Sequence, residues 1–350
     1  MNKKLLAIAV GAAVAFPAVA LANGPTVYGK VNVDLKQVSV KPKQPAGSPV
    51  QDDQWELESN ASRIGVKGEY DLDVANLKAI YQAEYEISVD DGAGPFGQRD
   101  IFAGLKGGFG TLKAGRFDTP TKKAQGKIDQ FNDLDGDIKN LMAGENRMAN
   151  IVQYSTPKLA DMVTINAAFI PGENTDVDDY GTTLKNENGL ADSTSISAVV
   201  ETGGLYAAVS MDADIDDDLE FDDQANAGNT INITRLVAAY KFGDLQVGAL
   251  HQIAEEVDKD TVTNKTGEET STVISASFGI DRIKLKAQYG VTDAEVSKDK
   301  ATGYSLGADY SLAKASKAFV YYTAYDIDYD AVGVKNDEQT SLGVGIEHKF

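Results

Sequence analysis

The residues in this chain best suited to chemistry are carboxylates. Ile128-Asp-Gln-Phe-Asn-Asp-Leu-Asp-Gly-Asp137 carries four of them in ten positions, and Asp212-Ala-Asp-Ile-Asp-Asp-Asp218 carries five in seven. Such clusters suit a hard, oxygen-ligated cation. Neither Asp133-Leu-Asp-Gly-Asp137 nor the 212–218 run supplies the Gly at position six and Glu at position twelve of an EF-hand. No metal site is assigned, and only casual divalent binding by outer acidic loops is left open. His251 and His348 lie far apart and belong to no metal or nucleophile motif, so surface or strand-end roles fit them better. With no cysteine there is no thiolate chemistry, and no Ser-His-Asp arrangement stands out. The residues read as no enzyme and call for no cofactor.

Carboxylates that neither ligate nor catalyse can still act through their field, which depends on the frame that holds them. Lys3 and Lys4 precede an apolar run from Leu5 to Leu21, interrupted by Gly11 and Pro17. Ala20-Leu21-Ala22 is a small-x-small cleavage site, so residues 1–22 are expected to be a cleaved secretory signal and 23–350 a single domain. A membrane anchor is the alternative, disfavoured by the cleavage site and by Pro17. No second apolar run approaches the ~20 residues a spanning helix needs. If the mature chain lies in a membrane, it must be a β-barrel, because only helices and closed barrels satisfy every backbone group in lipid. The net charge of -20 argues against nucleic acid, whose partners are usually basic. The missing cysteines exclude a disulfide framework.

From Asn23 onward the pattern is alternation. In Asp281-Arg-Ile-Lys-Leu-Lys-Ala-Gln-Tyr-Gly-Val291, Ile283, Leu285, Ala287, Tyr289 and Val291 share one face. Arg282, Lys284, Lys286 and Gln288 share the other. That second row fits neither a dry core nor lipid, but it fits water or a wet lumen. Sixteen strands can be placed, beginning at about 25–40 and 60–71 and ending at 338–350. Tight turns such as Thr202-Gly-Gly204 and Phe242-Gly-Asp244 alternate with long polar connections at 41–59, 118–146, 172–192, 214–229 and 256–269. Short turns on one rim, long loops on the other and an even count predict an all-β, transmembrane antiparallel barrel. Tyr70, Phe109, Phe117, Tyr154, Tyr240, Phe242, Phe278, Tyr310 and Phe350 fall near strand ends, where aromatic girdles meet the headgroups.

Tyr28-Gly-Lys30, Ser62-Arg-Ile-Gly-Val-Lys-Gly68, Gln98-Arg-Asp-Ile-Phe-Ala-Gly-Leu-Lys-Gly107 and Gly110-Thr-Leu-Lys-Ala-Gly-Arg116 resemble the opening strands of Gram-negative trimeric general porins. The closing strand Ser341–Phe350, with its terminal aromatic, resembles theirs too. Order and spacing make the resemblance specific from Tyr28 to about Pro157, whereas from Gly172 to about Asn336 only the strand pattern matches. It implies a third long loop, here Asp118 to Asn146, folded into the lumen as a constriction. It also implies an eyelet in which Lys30, Arg63, Arg99 and Arg147 face Asp129 and Asp133, with Asp135 as a further candidate. The residues support one part of this independently. Arg63 shares its alternation parity with Gly65 and Lys67, opposite Ile64 and Val66, and an Arg on the lipid face would cost ~2–4 kcal/mol near mid-bilayer.

By the same resemblance the expected function is passive diffusion of ions and small hydrophilic solutes through a bacterial outer membrane. A solute-selective porin and a plugged structural or adhesin barrel are the alternatives. Expected partners are two further copies in a homotrimer, outer-membrane lipid and lipopolysaccharide, and a barrel-assembly machinery that reads Phe350. Acids in the long loops, among them Asp52, Asp53, Glu173, Asp176, Asp178, Asp179, Asp216, Asp217, Asp218, Asp222 and Asp223, are expected to tilt the channel weakly to cations at low salt.

Overall fold

The computed structural model describes residues 24–41, 52–90, 96–173, 189–221, 230–257, 265–330 and 337–350. The expected signal, 1–22, and Asp176, Asp178, Asp179, Asp222 and Asp223 lie outside them. The strands are β1 (Thr26–Lys41), β2 (Asp52–Ser59), β3 (Arg63–Asp71), β4 (Lys78–Glu86), β5 (Gly97–Gly107), β6 (Gly110–Asp118), β7 (Arg147–Ser155), β8 (Val163–Ile170) and β9 (Ser193–Thr202). They continue with β10 (Leu205–Ile215), β11 (Thr230–Phe242), β12 (Leu245–Val257), β13 (Lys265–Ile280), β14 (Ile283–Ala294), β15 (Lys300–Ala313), β16 (Ser316–Asp328) and β17 (Asp337–Lys349). Each pairs antiparallel with its neighbours, and β1 pairs with β17, from Lys30 opposite Lys349 to Lys41 opposite Glu338, to close the sheet.

β2 and β3 both pair with β1, Leu35 lying opposite Leu57 and Lys30 opposite Arg63. They are two halves of one crossing strand, so the barrel has sixteen staves. The break at Asn60-Ala61-Ser62 is stapled to β1. Asn60 N–H donates to the Asn32 carbonyl at 2.8 Å, Asn60 Nδ2 donates to Asp34 at 2.8 Å, and the Ser62 hydroxyl accepts from Asn32 N–H at 2.9 Å. Placing 41–59 in a loop therefore missed the outer half of this strand. Asp52–Ser59 is acidic enough to read as loop, yet it alternates, with Trp55 and Leu57 outward and exposed. Its acids Glu56 and Glu58 both reach Lys36 of β1.

The tight turns lie on one rim. Gly203 and Gly204, both at positive φ, make the two-residue turn between β9 and β10, whose backbone a residue with a Cβ adopts only with strain. The described chain ends share this rim. Gly29 N–H donates to the Phe350 carbonyl at 2.9 Å, and Phe350 N–H donates to that of Gly29 at 3.1 Å. The Phe350 ring fills the space a Cβ on Gly29 would need. Gly29→Val should therefore hinder closure of the first strand on the last, seen as a reduced heat-modifiable band on gels, whereas Gly108→Ala, whose Cβ would meet open space, should leave the band unchanged.

Outward rows are apolar: Ile283, Leu285 and Tyr289 are exposed on β14, while Lys286 and Gln288 face in and are buried. The aromatics at strand ends include Tyr240 and Phe242, with centroids 4.6 Å apart, and Tyr154, whose hydroxyl donates to the Phe109 carbonyl at 2.6 Å. Phe117 is the exception. It shares the parity of Lys113 and Gly115, opposite the exposed Leu112 and Ala114, and so points into the lumen, where it is 1% exposed, packs on Phe102 and lies under Lys113.

Candidate pore constriction

The lumenal wall is not uniformly polar. Ile231, Ile233, Val237, Leu250 and Val273 of β11–β13 point inward and are buried, which in an open wet lumen would be unfavourable. They are covered by the 119–146 loop, whose Ala124, Ile128, Ile138 and Met142 are fully buried against one part of this patch and Ala143 against another. Phe131 and Leu134 pack with Phe319 and Tyr321 of β16. Each Ile, Leu or Phe withdrawn from water contributes roughly 1.5–3 kcal/mol, so the loop is held by a small core of its own.

Local signals shape the loop. Thr119 caps the short helix α1 (Pro120–Ala124), its hydroxyl accepting from Lys122 N–H at 3.1 Å, and Pro120 begins the first turn, where its missing N–H costs nothing. Asp137 caps a 3-10 turn at Ile138–Asn140, accepting from Lys139 N–H at 3.0 Å.

Polar ties complete the attachment. Arg235 of β11, 0% exposed, donates to Glu145 at 2.8 Å, to the Thr121 carbonyl at 3.2 Å and to Gln252 of β12 at 2.7 Å. Gln252 in turn donates to the Ala143 carbonyl at 2.9 Å. Gln288 of β14 donates to the Gly136 carbonyl at 2.8 Å, and the Tyr325 hydroxyl of β16 donates to that of Asp135 at 2.6 Å.

Fixed along this side, the loop presents its other edge to β1–β7. Lys30 Nζ lies 2.6 Å and Arg63 Nη2 2.7 Å from the same oxygen of Asp133. Lys36 meets Asp135 at 2.6 Å. Arg99 reaches Glu84 of β4 at 2.9 Å and Glu86 at 2.6 Å, and Glu84 also accepts from the Tyr28 hydroxyl at 2.9 Å. Arg147, at the start of β7, pairs with Asp100 at 2.8 Å and Asp118 at 2.9 Å. Asn132 and Asp133 border both a cavity of about 490 Å³ reaching Phe350 and one of about 280 Å³ lined by Arg99, Lys122 and Arg147. Asn132 and Asp133 thus lie between the two cavities, where the loop meets the charged wall.

The expected set is therefore only partly assembled. Lys30, Arg63 and Asp133 meet directly. Arg99 and Arg147 lie on the facing wall, but their nearest carboxylates belong to that wall. Asp135 meets Lys36, which the sequence reading did not single out. Asp129 is not brought to the gap. It accepts from Phe131 N–H at 2.9 Å, and burial, with Asp137 beside it, holds its carboxyl well above the ordinary range. A carboxyl tucked into its own loop's backbone cannot oppose the basic wall. Asp133 differs in kind. Burial pulls its carboxyl up, but Lys30 and Arg63 outweigh burial and leave it below the ordinary value.

Glu84 and Glu86 are the main omissions, and the signal for them was present. Tyr81-Gln-Ala-Glu-Tyr-Glu86 alternates, setting Gln82, Glu84 and Glu86 on one face. They make the wall mixed in charge rather than basic. Among the described residues no group of three or more His, Cys, Asp or Glu side chains is arranged to hold a metal ion.

Comparison with known proteins bears on the fold and the family. The Gram-negative porin family model matches residues 7–331. The major outer membrane protein P.IB of Neisseria sicca is 26% identical over 375 residues, covering 100% of both chains. Among solved structures, the anion-selective porin from Comamonas acidovorans superposes with a TM-score of 0.72 at 21% identity, covering 94% of this chain and 100% of that one. The in-vitro folded, trimeric form of OmpT of Vibrio cholerae gives 0.62 at 17% identity, covering 94% and 99%. A closed sixteen-stave barrel, an inward-folded loop between a charged wall and an apolar one, and a family match over most of the sequence lead to one conclusion: this chain belongs to the Gram-negative porins, the diffusion channels of the outer membrane.

Proposed function

We propose that solutes pass this channel at the narrows where Asp133 faces Lys30 and Arg63, and that Arg99, Arg147, Glu84 and Glu86 set the charge of its approaches. The observation that carries the reading is that Asp133, which with Asn132 borders the cavities on both sides, also meets two cations. Acid and base across a wet gap orient dipolar solutes and retard apolar ones. Because the wall's cations are largely matched by its own carboxylates, selectivity is weak and tilts to cations at low salt. The porin of Comamonas acidovorans, by contrast, is described as anion-selective. Reversal potentials across a KCl gradient decide the sign, and a clear anion preference at low salt would refute this reading.

The channel works as a homotrimer whose contact lies on β1–β5 and β17, a reading supported by the trimeric form among its structural neighbours. Gly68 does not open this face to a neighbour, because the Tyr81 ring occupies the space beside it. Ala103, set opposite Tyr81 and Ala114, is a small outward residue there. Cross-linking in native membranes should capture trimers, and recovery of monomers alone would count against the contact.

Residues 1–22 export the chain, and the assembly machinery reads its terminal strand. Phe350→Ala should lower the amount of assembled barrel at least ~2-fold, since it removes both the aromatic and its packing on Gly29. Assembly at the wild-type rate would exclude that role. The hydroxyl of Ser316 lies 2.8 Å from His348 Nδ1, giving this polar residue a partner on the neighbouring stave.

A further inference from the structure

We propose that the pore is charged in two tiers along its axis, acidic at the outer mouth and basic beneath the constriction loop, and that it therefore rectifies ion current. The proposal rests on the reading of the chain as an open channel. The basic tier comprises Lys127 on the loop, Lys241 at the inner end of β11, Lys284 and Lys286 on β14, and Lys317 at the start of β16. Lys127 and Lys241 line a cavity of about 690 Å³ on the short-turn side of the loop. Lys127, Lys241 and Lys317 all lie within electrostatic range of Lys284.

The countercharge there is thin. Asp309 is shared by Lys286 and Lys317, each at 3.0 Å, and Glu201, on the same cavity, is engaged by Lys158 at 3.3 Å. Among the described residues, Lys127, Lys241 and Lys284 have no carboxylate within ion-pair distance. Lys127 is held in place by its carbonyl, which accepts from Gln130 at 2.6 Å and from Gln246 of β12 at 3.1 Å.

The outer tier has the opposite sign. Asp217, Asp218 and Glu220 follow β10, and Asp328, Asp330 and Glu338 flank the last long connection. Three lysines on that side are matched: Lys41 meets Glu338 at 2.5 Å, Lys298 meets Glu295 at 3.3 Å and Lys300 meets Asp293 at 3.1 Å. The acid density leaves a mark on Glu220, whose carboxyl is pushed up to about 7 by burial and by Glu269, Asp217 and Asp218.

Fixed wall charge enriches counterions when the screening length, ~10 Å at 0.1 M salt, is comparable with the passage. Cations then collect at the outer mouth and anions in the inner vestibule. With the outer compartment positive, both are driven from their enriched tiers toward the constriction, and conductance rises. With the polarity reversed, both are drawn away from it and the narrows is depleted. Neither effect follows from a single ring of charge.

The test uses the full barrel in a planar bilayer, its orientation reported by Val296→Cys. This is an exposed position on the outer side of a chain without other cysteines, and a maleimide-polyethylene glycol too large for the pore labels it from one face only. At 0.1 M KCl the current with the outer side positive should exceed that at the opposite polarity by ~1.5-fold or more; at 1 M, where the screening length is ~3 Å, the ratio should approach one. The triple variant K127Q/K241Q/K284Q should abolish most of the asymmetry. If that variant fails to assemble, D328N/D330N/E338Q, which thins the outer tier, should lower the ratio instead. Equal currents at both polarities at 0.1 M, the opposite asymmetry, or an assembled variant of either kind keeping the wild-type ratio would overturn this proposal alone. Absence of current at either polarity would overturn the channel reading and this proposal with it.

Discussion

Asp133→Asn moves the reversal potential toward anions, and Asp129→Asn leaves it where it was. The first removes the carboxylate that Lys30 and Arg63 share and leaves them the longer pairs with Glu347 at 3.9 Å and Glu84 at 3.5 Å, so two cations face the gap with less to oppose them. A shift on the order of 10 mV across a tenfold KCl gradient is expected. The second changes a carboxyl that is turned into its own loop's backbone, accepting from Phe131 N–H, rather than to the gap. The pH dependence follows from the same contrast. A carboxyl lowered in the folded state stabilises that state above its ordinary value, near 4, and loses the contribution as pH falls through the lowered one. Asp133 is such a group, so its hold on the loop and its share of selectivity should persist from neutral pH down to about pH 4 and fade only below. If the Asp129 variant moved the potential as far as the Asp133 variant, the placement of the narrows would be wrong.

Arg235→Ala should loosen the constriction loop while leaving the barrel closed. The guanidinium is 0% exposed and ties Glu145, Thr121 and Gln252 together. Its removal strands Glu145, whose carboxyl burial already raises despite Arg235 beside it. Breaking a buried pair by deleting one partner costs about 3–5 kcal/mol, comparable with burying two of the loop's apolar side chains. Single-channel conductance should rise, open-state current should become noisier, and trypsin should cut near Lys122, Lys123 and Lys127. Heat-modifiable mobility should be unchanged, because the sheet's own ladder is untouched. Arg235→Lys keeps the charge but loses the fork and should fall between the two. Quiet wild-type current in the Ala variant would show that the apolar patch alone holds the loop.

The barrel was legible in the sequence because period-two alternation reports facing directly, as in Ile283–Val291, where lysines on one face exclude both lipid and a dry core. The outer half of the second stave was hidden because acids on its lumenal face made Asp52–Ser59 look like loop. Phe117 was misplaced for a different reason: its place at a strand end made it look like a girdle aromatic, although its parity with Lys113 and Gly115 sets it on the lumenal face. At the constriction, the basic positions on β1, β3, β5 and β7 were readable from motifs on regular strands. The acids were not, because loop carboxylates three to six residues apart can turn to the gap, as Asp133 does, or back into the loop, as Asp129 does. Arg235 carries no motif at all, and its role arises only when a loop some hundred residues distant in sequence folds over it. The inward apolar row on β11–β13 is a signal that could have been found. Apolar residues on both faces of a barrel strand imply that something covers the lumenal one.

A single cysteine at Asn132 tests the central claim most directly. The native chain has no cysteine, and Asn132 borders the cavities on both sides of the proposed narrows. The purified variant should open discrete conductance steps in a planar bilayer, and a small bulky thiol reagent should then cut each step by roughly half or more, since a blockage counts most where the passage is narrowest. The same reagent on Val296→Cys, exposed at the outer side, should leave the step within ~10% of its starting value. Full conductance after complete modification of the Asn132→Cys channel would contradict a passage that runs past Asp133.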